Sequence, residues 1–427
     1  MEGANSGKLL QMPNPAPRRQ AAAAFVLVTV FLDMLSIGIM IPVLPQLIKN
    51  FVGGSVSAAA LWTGIFGVAW GAAQFVFSPI QGGMSDSIGR RPVILASNFG
   101  TGVDYLLMAV APNLWWLLVG RVVSGITAAS ISTAYAYMSD VTPAEGRAKV
   151  FGTMGAAFGI GFIVGPAVSA FLGHRDPHIP LYFAAALSLA NFLYGFFVLP
   201  ESLPEDRRKP FCFRAASPVG AVKFLARSAQ VLRLAVMYLL MMFSQNVYPT
   251  TFVLYAGYRF HWGTREVSLC LSGVGVMAAI VQAGLTGMIV KRIGERRAMF
   301  IGLTCATIAF LGYGLAPNWW SFVIFMPIGA FGGLAAPNIQ SLMTGHVAPN
   351  EQGTLQGANS ALSSAANMFA PLVFGTVLSF VTRPDVSKSF SGAAFCVSAL
   401  IVTIGLVLAF GVRQKVKTSP SVTPDAV

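Results

Sequence analysis

The sequence predicts an all-α polytopic membrane protein, with twelve membrane-crossing helices in two pseudo-symmetric six-helix bundles. Three observations predict it. Only 10% of the 427 residues are charged and 55% are hydrophobic, with a mean hydropathy of +0.68, whereas a soluble globular chain carries about 25% charged residues. The apolar residues gather into twelve continuous stretches of roughly 18 to 25 residues, the length that crosses a ~30 Å hydrocarbon layer as helix. The chain also matches itself at an offset near 205 residues. So little charge cannot wet a soluble fold of this size, and it excludes a disordered chain, a coiled coil and a secreted disulfide scaffold.

In chain order the stretches run Ala22 to Leu44, Leu61 to Ile80, Pro92 to Ala111, Trp115 to Met138, Val150 to Leu172 and Leu181 to Leu199. After a break come Leu234 to Tyr255, Val267 to Ile289, Ala298 to Ala316, Trp319 to Leu342, Leu355 to Phe380 and Phe390 to Phe410. Barrel strands are excluded, because they alternate in polarity and are about half as long. A Pro-rich polar segment precedes the first span, which contains an acid and is too long for a signal h-region, so no cleavable leader is expected. Of the 28 Lys and Arg, 21 lie before the first span or after even-numbered spans. Six lie on the other side, Lys49, Arg175, Arg259, Arg265, Arg383 and Lys388, and Arg121 sits inside a span. The positive-inside rule then makes both termini cytoplasmic. The net charge of +13 orients the chain and does not mark a nucleic-acid partner, because the bases are scattered over several loops.

The expected organisation is a cytoplasmic tail (1–20), a first half (21–199), a basic cytoplasmic loop (200–233), a second half (234–411) and a second tail (412–427), in the plasma membrane. Cys212, Cys270, Cys305 and Cys396 form no Cys-x-x-Cys pair, so neither a metal nor a disulfide is expected. No cofactor and no obligate protein partner is expected either; the partners are the lipid bilayer, protons and a small-molecule substrate.

The self-match has four parts in the same order. Ala111-Pro112-Asn113 before Trp115 and Trp116 recurs as Ala316-Pro317-Asn318 before Trp319 and Trp320. Gly89-Arg90-Arg91 recurs as Gly294-Glu295-Arg296-Arg297, Pro143-x-Glu145 as Pro349-x-Glu351, and Pro166 as Pro371. Six spans per repeat give both halves one orientation, and such architectures place the substrate path between the halves near the bilayer midplane.

Only Asp33, Asp104 and Arg121 are ionisable and well inside spans. A charge at the membrane centre costs about 2.5 to 3.5 kcal/mol on the insertion scale, so such residues face a wet cavity or a partner. The expected role is a proton site. The alternative is an Asp33–Arg121 pair that only fixes packing. At the repeat offset the three positions hold Tyr238, Ala309 and Met326, so the halves have diverged in role. Between spans two and three, Gly83 and Gly89 permit close backbone approach and Asp86 is expected to favour a helix N-terminus. Span five carries Gly152, Gly155, Gly159, Gly161 and Gly165 before Pro166, a spacing that lets membrane helices touch, with a proline bend. In the second half Gln245, Asn246, Tyr248, Gln282 and Asn338 offer neutral hydrogen bonds to a cavity.

The duplicated plan and the Gly83–Arg91 turn resemble the major facilitator superfamily. Arg121-x-x-x-Gly125 is similar to its fourth-span motif, and Gly161-x-x-x-Gly165-Pro166 resembles the fifth-span motif of its drug:proton antiporters, although Ser169-Ala170 stands where that motif ends in Gly-Gly. The fullest resemblance is to the bacterial tetracycline:proton antiporters: Asp33 with Ile37 to Pro45, Gln74-Phe75, Ser85-Asp86, Arg90 to Val93, Val103-Asp104-Tyr105, Gly120 to Thr127, Gly294 to Ala298, and Gln352 to Gly357. It implies that Asp33, Gln74, Asp104 and Arg121 serve substrate binding or proton coupling, and that Asp86 and Arg90, with Gly83, Gly89 and Arg91 of the same turn, belong to a cytoplasmic gate. Those transporters carry a ninth-span Asp and an eighth-span His where this chain has Ala306 and Ala278. The expected function is a proton-coupled exporter of small amphiphilic compounds. A proton symporter and an intramembrane aspartyl protease are the competing readings, and no Gly-x-x-x-x-Gly-Lys-Ser/Thr loop supports an ATP-driven pump.

Overall fold

The computed structural model describes residues 17–128, 130–143, 146–173, 176–208, 224–348 and 351–412. Twelve segments among them are long and apolar enough to cross a membrane: α1 (Ala24–Phe51), α2 (Val56–Ile88), α3 (Arg90–Val110), α4 (Leu114–Val141), α5 (Val150–Leu172), α6 (Ile179–Val198), α7 (Ala229–Phe260), α8 (Thr264–Ile293), α9 (Glu295–Leu315), α10 (Trp319–Gly345), α11 (Thr354–Val381) and α12 (Lys388–Ala409). The helices outrun the apolar stretches, by about two turns at the ends of α1 and α2, because backbone hydrogen bonding does not stop where hydrocarbon does. Tail residues before Pro17 and after Val412, and most of the basic loop, including Cys212 and Arg214, lie outside the described residues.

The repeated motifs have structural reasons. The Asn113 side chain accepts from the Trp115 and Trp116 amides at 3.1 and 3.3 Å, and Asn318 accepts from Ser321 at 2.9 Å; each caps the helix that follows, α4 or α10, by holding amides that have no partner within it. Gly89 and Gly294 take φ of +111° and +84° between α2 and α3 and between α8 and α9, a region closed to most side chains. Two of the second-half helices are interrupted ahead of prolines, whereas α11 runs unbroken through Pro371. α7 kinks at Asn246, three residues before Pro249, and α10 is divided after Ile324 and after Gly332. In α8, Ile280–Leu285 is a π turn.

An even number of crossings puts the beginning of α1 and the end of α12 on one face, the terminal face; the other is the far face. The halves meet along two seams, α2 against α11 and α5 against α8. A Cβ on Gly64 would stand 2.7 Å from the Pro371 carbonyl oxygen, and one on Gly71 would stand 2.8 Å from that of Asn367. Ser57 donates to the Ser379 carbonyl at 2.7 Å, and Ser272 of α8 to the Ile163 carbonyl of α5 at 3.0 Å. These contacts run from mid-depth to the far face. Toward the terminal face, a Cβ on Gly82, Gly155, Gly159, Gly287 or Gly357 would meet nothing within 4 Å. Among the described residues, the close glycine and hydroxyl contacts between the halves therefore lie between mid-depth and the far face.

Candidate functional site: buried charge in the first half

Asp33 lies nine residues into α1, about 14 Å along the helix, and is 6% exposed. The α1 backbone around it is packed on α5. A Cβ on Gly161 would stand 2.5 Å from the Phe31 carbonyl oxygen, and one on Gly165 2.5 Å from that of Leu35, while Gly38 faces Pro166. No larger residue fits at these positions, so Gly161, Gly165 and Pro166 form the backing of the Asp33 turn. The run of five span-five glycines therefore divides into two faces: Gly161 and Gly165 touch α1, and Gly152, Gly155 and Gly159 face open space.

Arg121 on α4 pairs with Asp104 on α3, and both are buried. This corrects the alternative in which Arg121 pairs with Asp33. α3 and α4 are sequence neighbours, and Gly120 removes the side chain that would block them: a Cβ there would stand 2.7 Å from Asp104 Oδ1. On the other side of α4, Gly125 lets α2 approach at the Trp70 carbonyl, beside the Gln74 backbone. Arg121 also reaches α1, with Nη1 3.8 Å from Met40 Sδ. Met40 and Asp33 are seven residues apart, two helical turns, and so share one face of α1. Tyr105, buried beside Asp104, lies within electrostatic range of Arg121, Asp104 and Asp33 together. Asp104 itself is fully buried, so its carboxylate meets Arg121 and not an open cavity.

At the terminal face the turn between α2 and α3 is held by a charged network. Arg90 binds Asp86 at 2.5 Å, Asp140 at 3.1 Å and Ser85 at 2.9 Å. Asp86 belongs to the last turn of α2, where the helix dipole disfavours an anion and Arg90 offsets that cost. The carboxylate that serves the N-terminus of α3 is instead Glu201, which accepts from the Arg90 and Arg91 amides at 2.8 and 3.1 Å and from the Ser202 and Leu203 amides at 2.9 and 3.0 Å. Gly89 is required beside it, since a Cβ would collide with the Glu201 carboxylate. Arg91 donates to the Phe196 carbonyl at 2.6 Å, and Gly83 lies in the last two turns of α2. Asp140 and Glu201 escaped the sequence reading, which counted bases at the span ends and not acids. An acid at the end of an even-numbered span, on the same face as Arg90, was the available signal.

In the second half the predicted amides separate. Asn246 bridges α7 and α11, donating to Asn367 Oδ1 at 3.1 Å and to the Met242 carbonyl at 2.9 Å. Gln245 and Gln74 are half-buried, and Gln282 is exposed within the π turn of α8, its amide nitrogen 3.1 Å from where a Gly333 Cβ would stand. Asn338 is 3% exposed and donates to the Leu334 carbonyl one turn back at 2.7 Å, so it satisfies its own helix and does not line a cavity. Tyr238, the repeat partner of Asp33, meets Ser363 at 3.0 Å. Ala306 is buried at 3%, packed against Gly332.

The Major Facilitator Superfamily description matches residues 26–371 and again 234–425. The chain is 34% identical to the class C tetracycline resistance protein of Escherichia coli, over 90% of this chain and 95% of that one, and 34% identical to the class G protein of Vibrio anguillarum, over 91% and 96%. The crystal structure of a bacterial homologue of the human lysosomal transporter Spinster, inward-facing and occupied, superposes with a TM-score of 0.75 at 15% identity, covering 96% of this chain and all of that one. With twelve membrane-length helices in two matching bundles, buried charge in the first of them, and these relatives, the chain belongs to the Major Facilitator Superfamily and is a multi-pass membrane transporter similar to the tetracycline resistance proteins.

Proposed function

We propose that the protein is a proton-coupled exporter of small amphiphilic compounds, working by alternating access from the plasma membrane with both termini cytoplasmic. One observation carries this assignment: a buried carboxylate, Asp33, is backed by the Gly161–Gly165–Pro166 bend, in a molecule whose halves meet closely between mid-depth and the far face. In this assignment the terminal face is the cytoplasmic one, and the looser packing of Gly155 and Gly159 there supports an opening toward it. Substrate enters between the halves near Gln74, Gln245, Asn246 and Gln282. Asp33 takes a proton when the cavity faces outward and releases it when the cavity faces inward. The Asp104–Arg121 pair sets the field on the α1 face that carries Asp33, and the Asp86–Arg90–Asp140–Glu201 network on the turn that includes Gly83, Gly89 and Arg91 holds the cytoplasmic gate. One proton moving inward supplies about 2.3 kcal/mol per 100 mV, enough for roughly a fifty-fold concentration ratio. The names of the relatives make tetracyclines the first compounds to test, while Ala306 and Ala278 stand where those relatives are expected to carry an Asp and a His.

The test is accumulation of tetracycline and a panel of amphiphilic cations and neutral compounds into inverted vesicles with an acid interior. The wild type is expected to accumulate at least one of them. Asp33→Asn should insert normally and lose uphill accumulation, and normal accumulation by that variant would overturn the coupling role. Joining the halves through Ser57→Cys with Ser379→Cys, whose hydroxyls are 3.0 Å apart, should stop transport until a reductant is added; undiminished transport by the crosslinked protein would rule out alternating access through this seam.

A further inference from the structure

At the far face, α8 and α10 begin side by side and leave a cleft of about 350 Å³ between them, lined by second-half residues alone. Trp262, Trp319 and Glu266 share the cleft, over a floor that includes Cys270, Val323 and Met326. Trp262 is fixed by rings on three sides, Phe252 at 6.5 Å, Phe260 at 5.6 Å and Phe322 at 6.4 Å between centroids. Trp319 is stacked on Trp320 at 3.7 Å. Glu266 is fixed as well: its Oε2 accepts from the Gly263 amide at 2.9 Å, closing the first turn of α8. No basic side chain pairs with Glu266 among the described residues, and the adjacent Arg265 lines a different cleft, with α5 and α6.

Two ordered indoles and a carboxylate around an apolar floor form the combination that selects an organic cation, through the negative faces of the rings and a full opposite charge. The carboxylate decides the sign. Each helix N-terminus contributes about half a positive charge, so without Glu266 the mouth of the cleft would repel a cation. We infer that the α8–α10 cleft is a second binding site, outside the path between the halves, for a lipophilic organic cation of aromatic or quaternary ammonium type. Held there, the cation lies against the helix that forms half of the α5–α8 seam.

Photolabelling locates the ligand directly. Full-length protein in detergent is irradiated with ethidium monoazide and the adducts are mapped by peptide mass spectrometry. Adducts are expected on the peptides that carry Trp262 to Cys270 and Trp319 to Met326, with excess ethidium competing and the uncharged 6-phenylphenanthridine competing poorly. Glu266→Gln keeps an oxygen to accept from Gly263 and so keeps the helix cap, and it should cut that labelling at least tenfold. Trp319→Leu, which keeps an apolar wall without the ring, should also reduce it, and Asp33→Asn should leave it unchanged. Adducts confined to other segments, undiminished labelling in Glu266→Gln, or equal competition by the uncharged compound would each overturn the site.

Discussion

The two halves descend from one pattern and differ in what they bury. Where the first half holds Asp104 and Arg121, the second holds Ala309 and Met326, both buried. Where the α2–α3 turn is held by Arg90, Asp140 and Glu201, the α8–α9 turn shows, among the described residues, one side-chain hydrogen bond, from Ser341 to Glu295 at 2.7 Å. In place of charge the second half packs rings: Tyr313 lies 4.4 Å from Phe322 between centroids, Tyr255 lies 5.3 Å from Phe395, and Tyr255 donates to the Tyr313 carbonyl at 2.8 Å. The contrast teaches that, among the described residues, this bundle closes without an internal ion pair. A buried pair is on general grounds no more stabilising than apolar side chains of similar volume, and the second half is an instance of that substitution. Buried charge kept in the first half therefore calls for an explanation other than stability.

That comparison can be broken in four places. The largest effect is expected at the ion pair. Arg121→Ala leaves Asp104 buried without its partner and should cost about 3–5 kcal/mol, read as lost yield and a lowered Tm in detergent. Arg121→Met with Asp104→Ala, the second half's own residues, should recover most of that stability and still fail to transport uphill; recovered transport would make the pair purely structural. Next come the glycines of α5. Gly161→Val should cost about 1–3 kcal/mol through overpacking against Phe31, whereas Gly155→Val, facing open space, should leave Tm unchanged, and equal losses would contradict the division of α5 into two faces. At the terminal face Glu201→Gln weakens four amide contacts and should cost about 1–2 kcal/mol. Glu295→Gln, with one hydroxyl partner, should cost under about 1 kcal/mol, and the paired Tm measurements test the asymmetry of the turns. The smallest effect is expected at Asn246→Leu, about 0.6 kcal/mol for one interhelical bond in a membrane, with a change in substrate preference in the vesicle assay as the more sensitive reading.

The amino-acid sequence alone determined the number and order of the spans, the duplication, and the short roster of intramembrane charges. These are properties of local composition and spacing: hydrocarbon requires apolar length, positive φ requires glycine, and the repeated Asn before two Trp is a helix cap wherever it occurs. Tertiary structure decided the partners. Asp104, not Asp33, takes Arg121, because Gly120 lets α3 and α4 approach at that level. Glu201, far along the chain from Gly89, and not Asp86 beside it, serves the start of α3. Asn338, polar and correctly placed by periodicity, turns back onto its own helix. Pro166 and Pro371 occupy equivalent positions in the repeat, yet one packs on α1 within its half and the other on α2 across the seam. Pairings of this kind depend on which helix faces lie within about 3 Å of one another, and no one-dimensional pattern carries that distance.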